Sequence, residues 1–273
     1  MTAGQVLVHV EPGAAAEQRV RYALSMARSR GSKLVGLTVR LSPQAATSSM
    51  IGDVSALTAY CDASGDSVHS AKDLFERVTH GSGVTVEWRE SYGVPLEVVV
   101  AEAGSADLIV LGRASRARLD GGMYVIRPDD VIMGSGVPVL VVPDVLPTEY
   151  RGSRILVAWK STPQAARAVR DAMPWLARAE AVFLTEVMSP VGRYEIPAKT
   201  MAEYLMAHGV PVSILQIPAG GVVEDLLMNA AAANECDMIV AGAYGHSRLR
   251  EWTLGGVTRS LLERSPLPCL LAH

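Results

Sequence analysis

The chain has 273 residues, of which 49% are apolar, and its formal net charge is −3 at pH 7. That length suits two domains of ordinary size, and the composition provides each of them with enough apolar residues for its own core. Because a slightly acidic chain lacks the basic surface that DNA and RNA binding requires, we expect no nucleic-acid partner.

The first half of the chain predicts strands and helices in alternation. Strands are predicted at 6–10, 33–39, 84–89, 106–112 and 138–142, and helices at 16–30, 67–78 and 96–103. The segment 42–65 is rich in Ala, Ser, Thr and Asp, which favours a loop or lid that leads into the second helix. Each apolar run is far shorter than the roughly 20 residues of a membrane span, so the runs indicate buried strands and no membrane partner.

The second half of the chain repeats this order. Strands are predicted at 155–159, 181–185, 212–217, 236–242 and 268–272, and helices at 162–178 and 223–233. Near-continuous apolar strands that alternate with helices indicate parallel strands covered on both faces. The sequence therefore predicts an α/β protein with two tandem doubly wound domains, each a five-stranded, mainly parallel sheet with helices on both faces. The predicted domains are residues 1–146 and 152–273.

The N-terminus and the cysteines favour a reduced, cytoplasmic environment. The first five residues lead into a strand without the basic and apolar regions of a signal peptide. Cys61, Cys236 and Cys269 are odd in number and show no Cys-x-x-Cys spacing. They are therefore expected to be reduced packing residues rather than members of a disulfide or zinc site.

The last strands of the two halves begin at Pro138 and Pro268 and are candidates for edge pairing. Paired edges of this kind can join two copies of the chain or two halves of one chain. The sequence therefore predicts a homodimer or an intramolecular pseudo-dimer.

A glycine-rich run follows the predicted strand 236–242. Glycines let backbone N–H groups turn toward an anion, and a helix that starts near Gly256 presents the positive end of its dipole to the same place. His246, Ser247, Arg248 and Thr258 are candidate side-chain donors. The alternative is that the glycines serve a tight turn and close packing of a helix on a strand.

The tandem repeat and this run resemble the universal stress protein family across essentially the whole chain. Nucleotide-binding members carry Gly, two residues, Gly, nine residues, Gly and then Ser or Thr, and Gly242, Gly245 and Gly255 occupy the three glycine positions here. The final hydroxyl position is Gly256, which departs from the family pattern. The resemblance implies that ATP or AMP binds in the second domain at Gly242, Gly245, His246, Ser247, Arg248, Gly255, Gly256, Val257, Thr258, Val187 and Lys160.

The first strand of each half departs further from the family. Relatives that bind nucleotide end this strand with an Asp that accepts hydrogen bonds from the nucleoside, whereas Glu11 and Lys160 stand here. Lysine has three donors and no acceptor, so Lys160 is expected to face a phosphate or another anion. Val187 and its counterpart Val39 fit either a backbone contact with adenine or the core.

The first half has lost the glycine loop. Ser115, Val125 and Ile126 stand where the second half has its later glycines. The β-branched side chains at Val125 and Ile126 obstruct the approach of a phosphate to the backbone. We therefore predict that the first half binds no nucleotide in the family manner.

Enzyme motifs are missing from the sequence, so we predict a binding protein rather than an enzyme. The chain has no P-loop motif, no Gly-x-Gly-x-x-Gly after its first strand, and no nucleophile elbow. Its six histidines show no metal-ligand spacing, so no metal is predicted. Three hypotheses remain: a stress-response binding and signalling protein, a nucleotide-independent interaction scaffold, and a weak ATP hydrolase.

Overall fold

The computed structural model describes residues 4–40, 69–113, 126–146, 152–188, 197–245 and 256–273. By the density of contacts, the chain divides into two compact units. Unit 1 comprises Met1–Val137 and Asp144–Glu149, and unit 2 comprises Pro138–Pro143 and Tyr150–His273. Within the described ranges, no helix is long and apolar enough to cross a membrane. The predicted boundaries at 146 and 152 stay a prediction, and the units differ from them chiefly in assigning the strand after Pro138 to unit 2.

Unit 1 contains a four-stranded parallel sheet in the order β3-β2-β1-β4. Its helix α2 is described at 69–79. The other elements are β1 (Gln5–His9), α1 (Ala14–Arg30), β2 (Lys33–Arg40), β3 (Val86–Tyr92), α3 (Pro95–Ala103), β4 (Leu108–Gly112) and α4 (Pro128–Gly134).

Burial explains why β1 lies at the centre of this sheet. Val6, Leu7 and Val8 are fully buried between β2 and β4. Helix α1 ends at Gly31, whose left-handed backbone (φ 65°) allows its N–H to cap the last turn. The chain then enters β2 beside β1, as the apolar run at 33–39 predicts.

Unit 2 contains a mixed sheet in the order β5-β10-β9-β6-β7-β8, in which only the β5–β10 pair is antiparallel. The register aligns Leu140 with Leu270, which confirms the predicted pairing of the terminal strands. Its elements are β5 (Val139–Val142), β6 (Arg154–Trp159), α5 (Pro163–Leu176), β7 (Ala181–Val187), α6 (Ala198–Ala207), β8 (Val212–Ile217), α7 (Val223–Ala233), β9 (Met238–Gly242), α8 (Gly256–Arg264) and β10 (Cys269–Ala272).

The strand order of unit 2 reverses direction at its centre. The chain steps from β6 outward to β7 and β8, then returns to the other side of β6 as β9 and continues to β10. Right-handed crossovers in the two directions place helices on opposite faces of the sheet. Unit 1 reverses in the same way between β3 and β4. The predicted α/β fold class with doubly wound, mainly parallel sheets is confirmed.

Candidate functional site

The carboxyl ends of β6 and β9 form the point of unit 2 where the strand order reverses. Their ladder ends with the pair Ala158 and Ala241, after which the two chains diverge. In open α/β sheets, ligands bind in the crevice outside the strands at this kind of switch point. Lys160 follows β6 and the first part of the glycine-rich run follows β9, so the topology brings two predicted parts of the site to one edge of the sheet.

The first turn of α5 lies against the end of β9. Thr162 is the N-cap residue of α5, and its hydroxyl accepts a hydrogen bond from the Ala165 N–H at 3.2 Å. A Cβ on Gly242 would lie 2.4 Å from the Ala165 nitrogen and 2.6 Å from the Gln164 carbonyl carbon. Real Cβ atoms do not approach backbone so closely, so Gly242 serves close packing of a helix on a strand, which is the alternative interpretation of the glycines.

The backbone turns away from the sheet immediately after Gly242. The Ala243 N–H donates to the Ala272 carbonyl at 2.8 Å, so this amide is held by β10. Tyr244 then adopts a left-handed backbone conformation with φ 58°, which is uncommon for a residue with a large side chain. Gly245 follows it and is exposed. Backbone strain of this kind is frequent at binding sites, where the surrounding structure maintains it.

Gly245 lies over the first turn of α5. A Cβ at this position would lie 3.4 Å from both Thr162 Cγ2 and Gln164 Oε1, and both of these atoms belong to side chains. Gln164 Oε1 is buried, and no described residue donates a hydrogen bond to it. Gly245 is therefore not required by packing in the way that Gly242 is.

Sequence reasoning missed Thr162, Gln164 and Tyr244 as parts of this site. Thr162 had a usable signal, because Thr followed by Pro163 is typical of a helix start. Gln164 and Tyr244 had none, because the burial of one oxygen and the backbone angle of one tyrosine depend on packing.

Lys160 and Val187 lie at the ends of neighbouring strands. Lys160 is exposed, and its carbonyl accepts a hydrogen bond from the Thr162 N–H at 2.7 Å. The β6–β7 register ends at Trp159 and Glu186, so Val187 lies one residue beyond it. Val187 is half-buried and pairs with Ile217 of β8.

Helix α8 begins at Gly256, which is exposed and has room for a side chain. Among the described residues, the nearest atom to a Cβ there would be Glu224 Oε1, at 3.9 Å, on the first turn of α7. Val257 is half-buried and Thr258 is buried. The positive end of α8 therefore has a carboxylate of the protein beside it, which competes with any other anion at that end.

Several predicted residues lie outside the described ranges. They are His246, Ser247, Arg248 and Gly255 of the glycine-rich run, Ser115 and Val125 of the first half, Cys61, and the segment 42–65. Ile126 is described and half-buried.

The carboxyl end of β1 in unit 1 carries an ion pair. Arg19 of α1 is buried, and its Nη2 lies 2.5 Å from Glu11 Oε2 while its Nε donates to the His9 carbonyl at 3.0 Å. His9 Nδ1 lies 3.1 Å from the same Glu11 oxygen. Burial raises the pKa of Glu11, but the charge of Arg19 and the hydrogen bonds from His9 and Arg19 hold that pKa well below its ordinary value. Glu11 is thus a carboxylate that is already bound within unit 1.

The described cysteines have the character of packing residues. Cys236 and Cys269 are buried free thiols. Burial raises the pKa of Cys236 to about 11, which leaves almost none of the reactive thiolate at neutral pH. Among the described residues, no group of three or more His, Cys, Asp and Glu side chains has the arrangement of a metal site.

Comparisons with known proteins assign the chain to a family. The profile of the universal stress protein family matches residues 3–143 and, a second time, residues 152–273. A universal stress protein from Archaeoglobus fulgidus DSM 4304 shares 16% identity and a TM-score of 0.75, with 100% of this chain and 99% of that chain covered. A protein of unknown function from Pseudomonas aeruginosa PAO1 shares 16% identity and a TM-score of 0.53, with 99% and 92% covered. No curated protein sequence matches the chain. At these identities the structures show the fold, and the double profile match shows that the chain belongs to the universal stress protein family, with the family domain present twice in tandem.

Proposed function

We propose that the chain is a stress-response binding and signalling protein of the cytoplasm, in which unit 2 binds one adenine nucleotide, ATP or AMP. The ligand lies at the carboxyl ends of β6 and β9, and its phosphates contact the backbone of the glycine-rich run. Unit 1 binds no nucleotide in this manner. The proposal assigns the chain no catalytic activity.

One observation carries the proposal: Gly245 stands exposed at the switch point of the sheet, over the first turn of α5. Among the described residues, no close contact with backbone requires a glycine there. The N–H groups of the first turn of a helix, together with the helix dipole, favour an anion. Lys160 is exposed at the same edge and adds a positive charge on the side where the family uses an acceptor.

The corresponding edge of unit 1 has fewer free groups with which to bind a ligand. Glu11 is the counterpart of Lys160, and Arg19 and His9 already occupy its carboxylate. Both contacts are with Oε2, so a nucleoside hydroxyl would compete with a buried guanidinium for that oxygen, and taking its place would leave a buried charge unpaired. This supports restricting the nucleotide to unit 2.

The second candidate is an interaction scaffold that works without nucleotide. Two observations favour it: the Thr162 hydroxyl is engaged as the cap of α5, and the Glu224 carboxylate lies near the start of α8. Both groups reduce the ability of the N-terminal ends of α5 and α8 to bind a phosphate.

Nucleotide binding is tested on the purified full-length chain. We expect mass spectrometry to find adenine nucleotide carried through purification, and calorimetric titration with ATP, AMP and cyclic AMP to give one site per chain. The variant Gly245→Val adds bulk over α5, and we expect it to weaken binding at least about tenfold, a change of about 1.4 kcal/mol. The matched control is Gly220→Val, because a Cβ on Gly220 meets no atom within 4 Å. Absence of both carried nucleotide and heat of binding would leave the scaffold as the function.

The variant Gly256→Ser restores the hydroxyl of the family pattern at a position with room for it. A hydrogen bond to a charged group contributes about 1.5–3 kcal/mol, so we expect ATP to bind at least about tenfold more tightly. The measurement is the same titration, with Gly220→Ser as the control. An affinity for ATP equal to that of the wild type would show that this position does not face the phosphates.

A further inference from the structure

Gln164 carries a buried hydrogen-bond acceptor that the described part of the chain leaves unused. It is the second residue of α5, directly after Pro163, and the residue as a whole is half-buried. Its Oε1 is buried, and among the described residues no N–H or O–H group donates to it. A buried acceptor without a donor costs free energy, so an unpaired one in a folded protein needs a physical reason.

A second helical glutamine shows the usual arrangement. Gln18 of α1 is also half-buried, and its Oε1 accepts a hydrogen bond from the Leu146 N–H at 3.1 Å within unit 1. The carboxamide of Gln18 therefore helps to hold unit 1 together. Gln164 forms no such bond with any residue that the structure describes, so its oxygen is available to a ligand.

The unpaired oxygen lies at the switch point of unit 2. A Cβ on Gly245 would lie 3.4 Å from it, and because glycine has no Cβ, a small group of a ligand can approach there. The terminal torsion of a glutamine side chain is soft, so the carboxamide can turn toward a ligand while α5 stays in place. At the same edge, Lys160 has donors only, and the Thr162 hydroxyl already accepts the Ala165 N–H.

The chemistry of a nucleotide decides which of its groups pairs with this oxygen. Ionised phosphate oxygens accept hydrogen bonds, so they do not pair with a carbonyl oxygen. The donors of an adenine nucleotide are its ribose hydroxyls and the amine of the base. The ribose is attached directly to the first phosphate, whereas the amine lies at the far end of the base. Phosphates held by the glycine-rich run therefore bring the ribose hydroxyls closest to α5.

We infer that the carboxamide oxygen of Gln164 accepts a hydrogen bond from a ribose hydroxyl, so that unit 2 selects an intact ribose over a deoxy analogue. The inference rests on the proposed nucleotide site and adds a residue that determines its specificity. A site that hydrogen-bonds a hydroxyl rejects an analogue without it, because the buried partner of that hydroxyl is then left unpaired.

The selection is measured by calorimetric titration of the full-length chain with ATP, 2′-deoxy-ATP and 3′-deoxy-ATP. We expect at least one deoxy analogue to bind the wild type about fivefold or more weakly than ATP. Gln164→Met keeps the length of the side chain and removes the acceptor, so ATP and that analogue should then bind equally well. Gln164→Glu keeps an acceptor and should retain the selection, although its negative charge weakens the binding of all three triphosphates.

Stability without ligand provides a second readout, which separates binding from a structural role. In urea unfolding, Gln164→Met should be at least as stable as the wild type, because an apolar group replaces an unpaired polar one. The matched control is Gln18→Met, which leaves the Leu146 N–H without its acceptor and should be less stable than the wild type. Equal destabilisation of the two variants would show that the carboxamide of Gln164 has a partner in the protein, contrary to the inference.

The titrations distinguish failure of this inference from failure of the proposed function. Equal affinity of the wild type for ATP and both deoxy analogues would overturn the inference and leave nucleotide binding in place. A Gln164→Met variant that weakens ATP and the analogues by the same factor would do the same, because it would place the carboxamide on the phosphates. A wild-type chain that binds no ATP would remove the proposed function and this inference together.

Discussion

Replacing Arg19 with methionine is expected to destabilise unit 1 by about 3 kcal/mol, because removal of one partner leaves the other charge of a buried ion pair uncompensated. Arg19 is 1% exposed and Glu11 is 26% exposed. Breaking a fully buried pair costs about 3–5 kcal/mol, and the water that still reaches Glu11 places this variant at the lower end. The lost hydrogen bond to the His9 carbonyl contributes to the same effect.

The measurement is urea unfolding, together with hydrogen–deuterium exchange to locate the effect in β1 and α1. The matched control is Arg21→Met, which removes an exposed pair with Glu17 on the same helix and should change stability by less than about 1 kcal/mol. The double variant Arg19→Met with Glu11→Met removes both charges and should recover part of the loss. Equal stability of Arg19→Met and Arg21→Met would contradict this account.

The same ion pair makes a specific contribution to the pH dependence of unit 1. Since the pKa of Glu11 is lowered in the folded state, its stabilising contribution is present above the unfolded pKa, about 4.3 for glutamate. That contribution is lost as pH falls through the folded pKa. Arg19→Met should therefore differ most from the wild type above about pH 5, and the difference should shrink in more acidic solution.

Replacing Gly242 with alanine is expected to destabilise unit 2 by about 2 kcal/mol or more even without a ligand, since overpacking costs about 1–3 kcal/mol. The added Cβ would lie 2.4 Å from the Ala165 nitrogen, and this atom belongs to the backbone of α5. A side chain could rotate away, but the first turn of α5 can move only if the helix shifts on the sheet.

Two matched variants test this explanation by thermal and urea unfolding. Gly220→Ala should leave stability within about 1 kcal/mol of the wild type, because a Cβ there meets no atom within 4 Å. Gly245→Ala should be intermediate, because its nearest contacts, at 3.4 Å, are with side-chain atoms that can move. A Gly242→Ala variant as stable as Gly220→Ala would show that packing does not require this glycine.

The glycines of the glycine-rich run are thus needed for different physical reasons. Gly242 allows α5 to approach β9, while Gly245 and Gly256 keep surfaces open that a side chain would occupy. Loss of nucleotide binding in a Gly242 variant would therefore not identify a ligand contact, whereas loss in a Gly245 variant of normal stability would.

The alternation of apolar runs with helices predicted the α/β class, the tandem repeat and the pairing of the strands that begin at Pro138 and Pro268. These features were accessible because burial on both faces of a parallel strand leaves a continuous apolar run in the sequence. Helix α4 was not predicted, although Pro128 and the acidic residues Asp129 and Asp130 mark its start. Its seven residues are too few to give a clear helical period.

The sequence by itself determined the family, the order of the strands along the chain and the positions of the glycines, since these depend on local composition and period. Only the tertiary structure decided which glycine is needed for packing and which carboxylates lie at the helix starts and strand ends. The Glu224 carboxylate near the start of α8 and the ion pair of Arg19 with Glu11 bring together residues that are distant in the sequence or lie on different parts of the fold. Their geometry depends on how helices lie on the sheet, and no local pattern of residues encodes that arrangement.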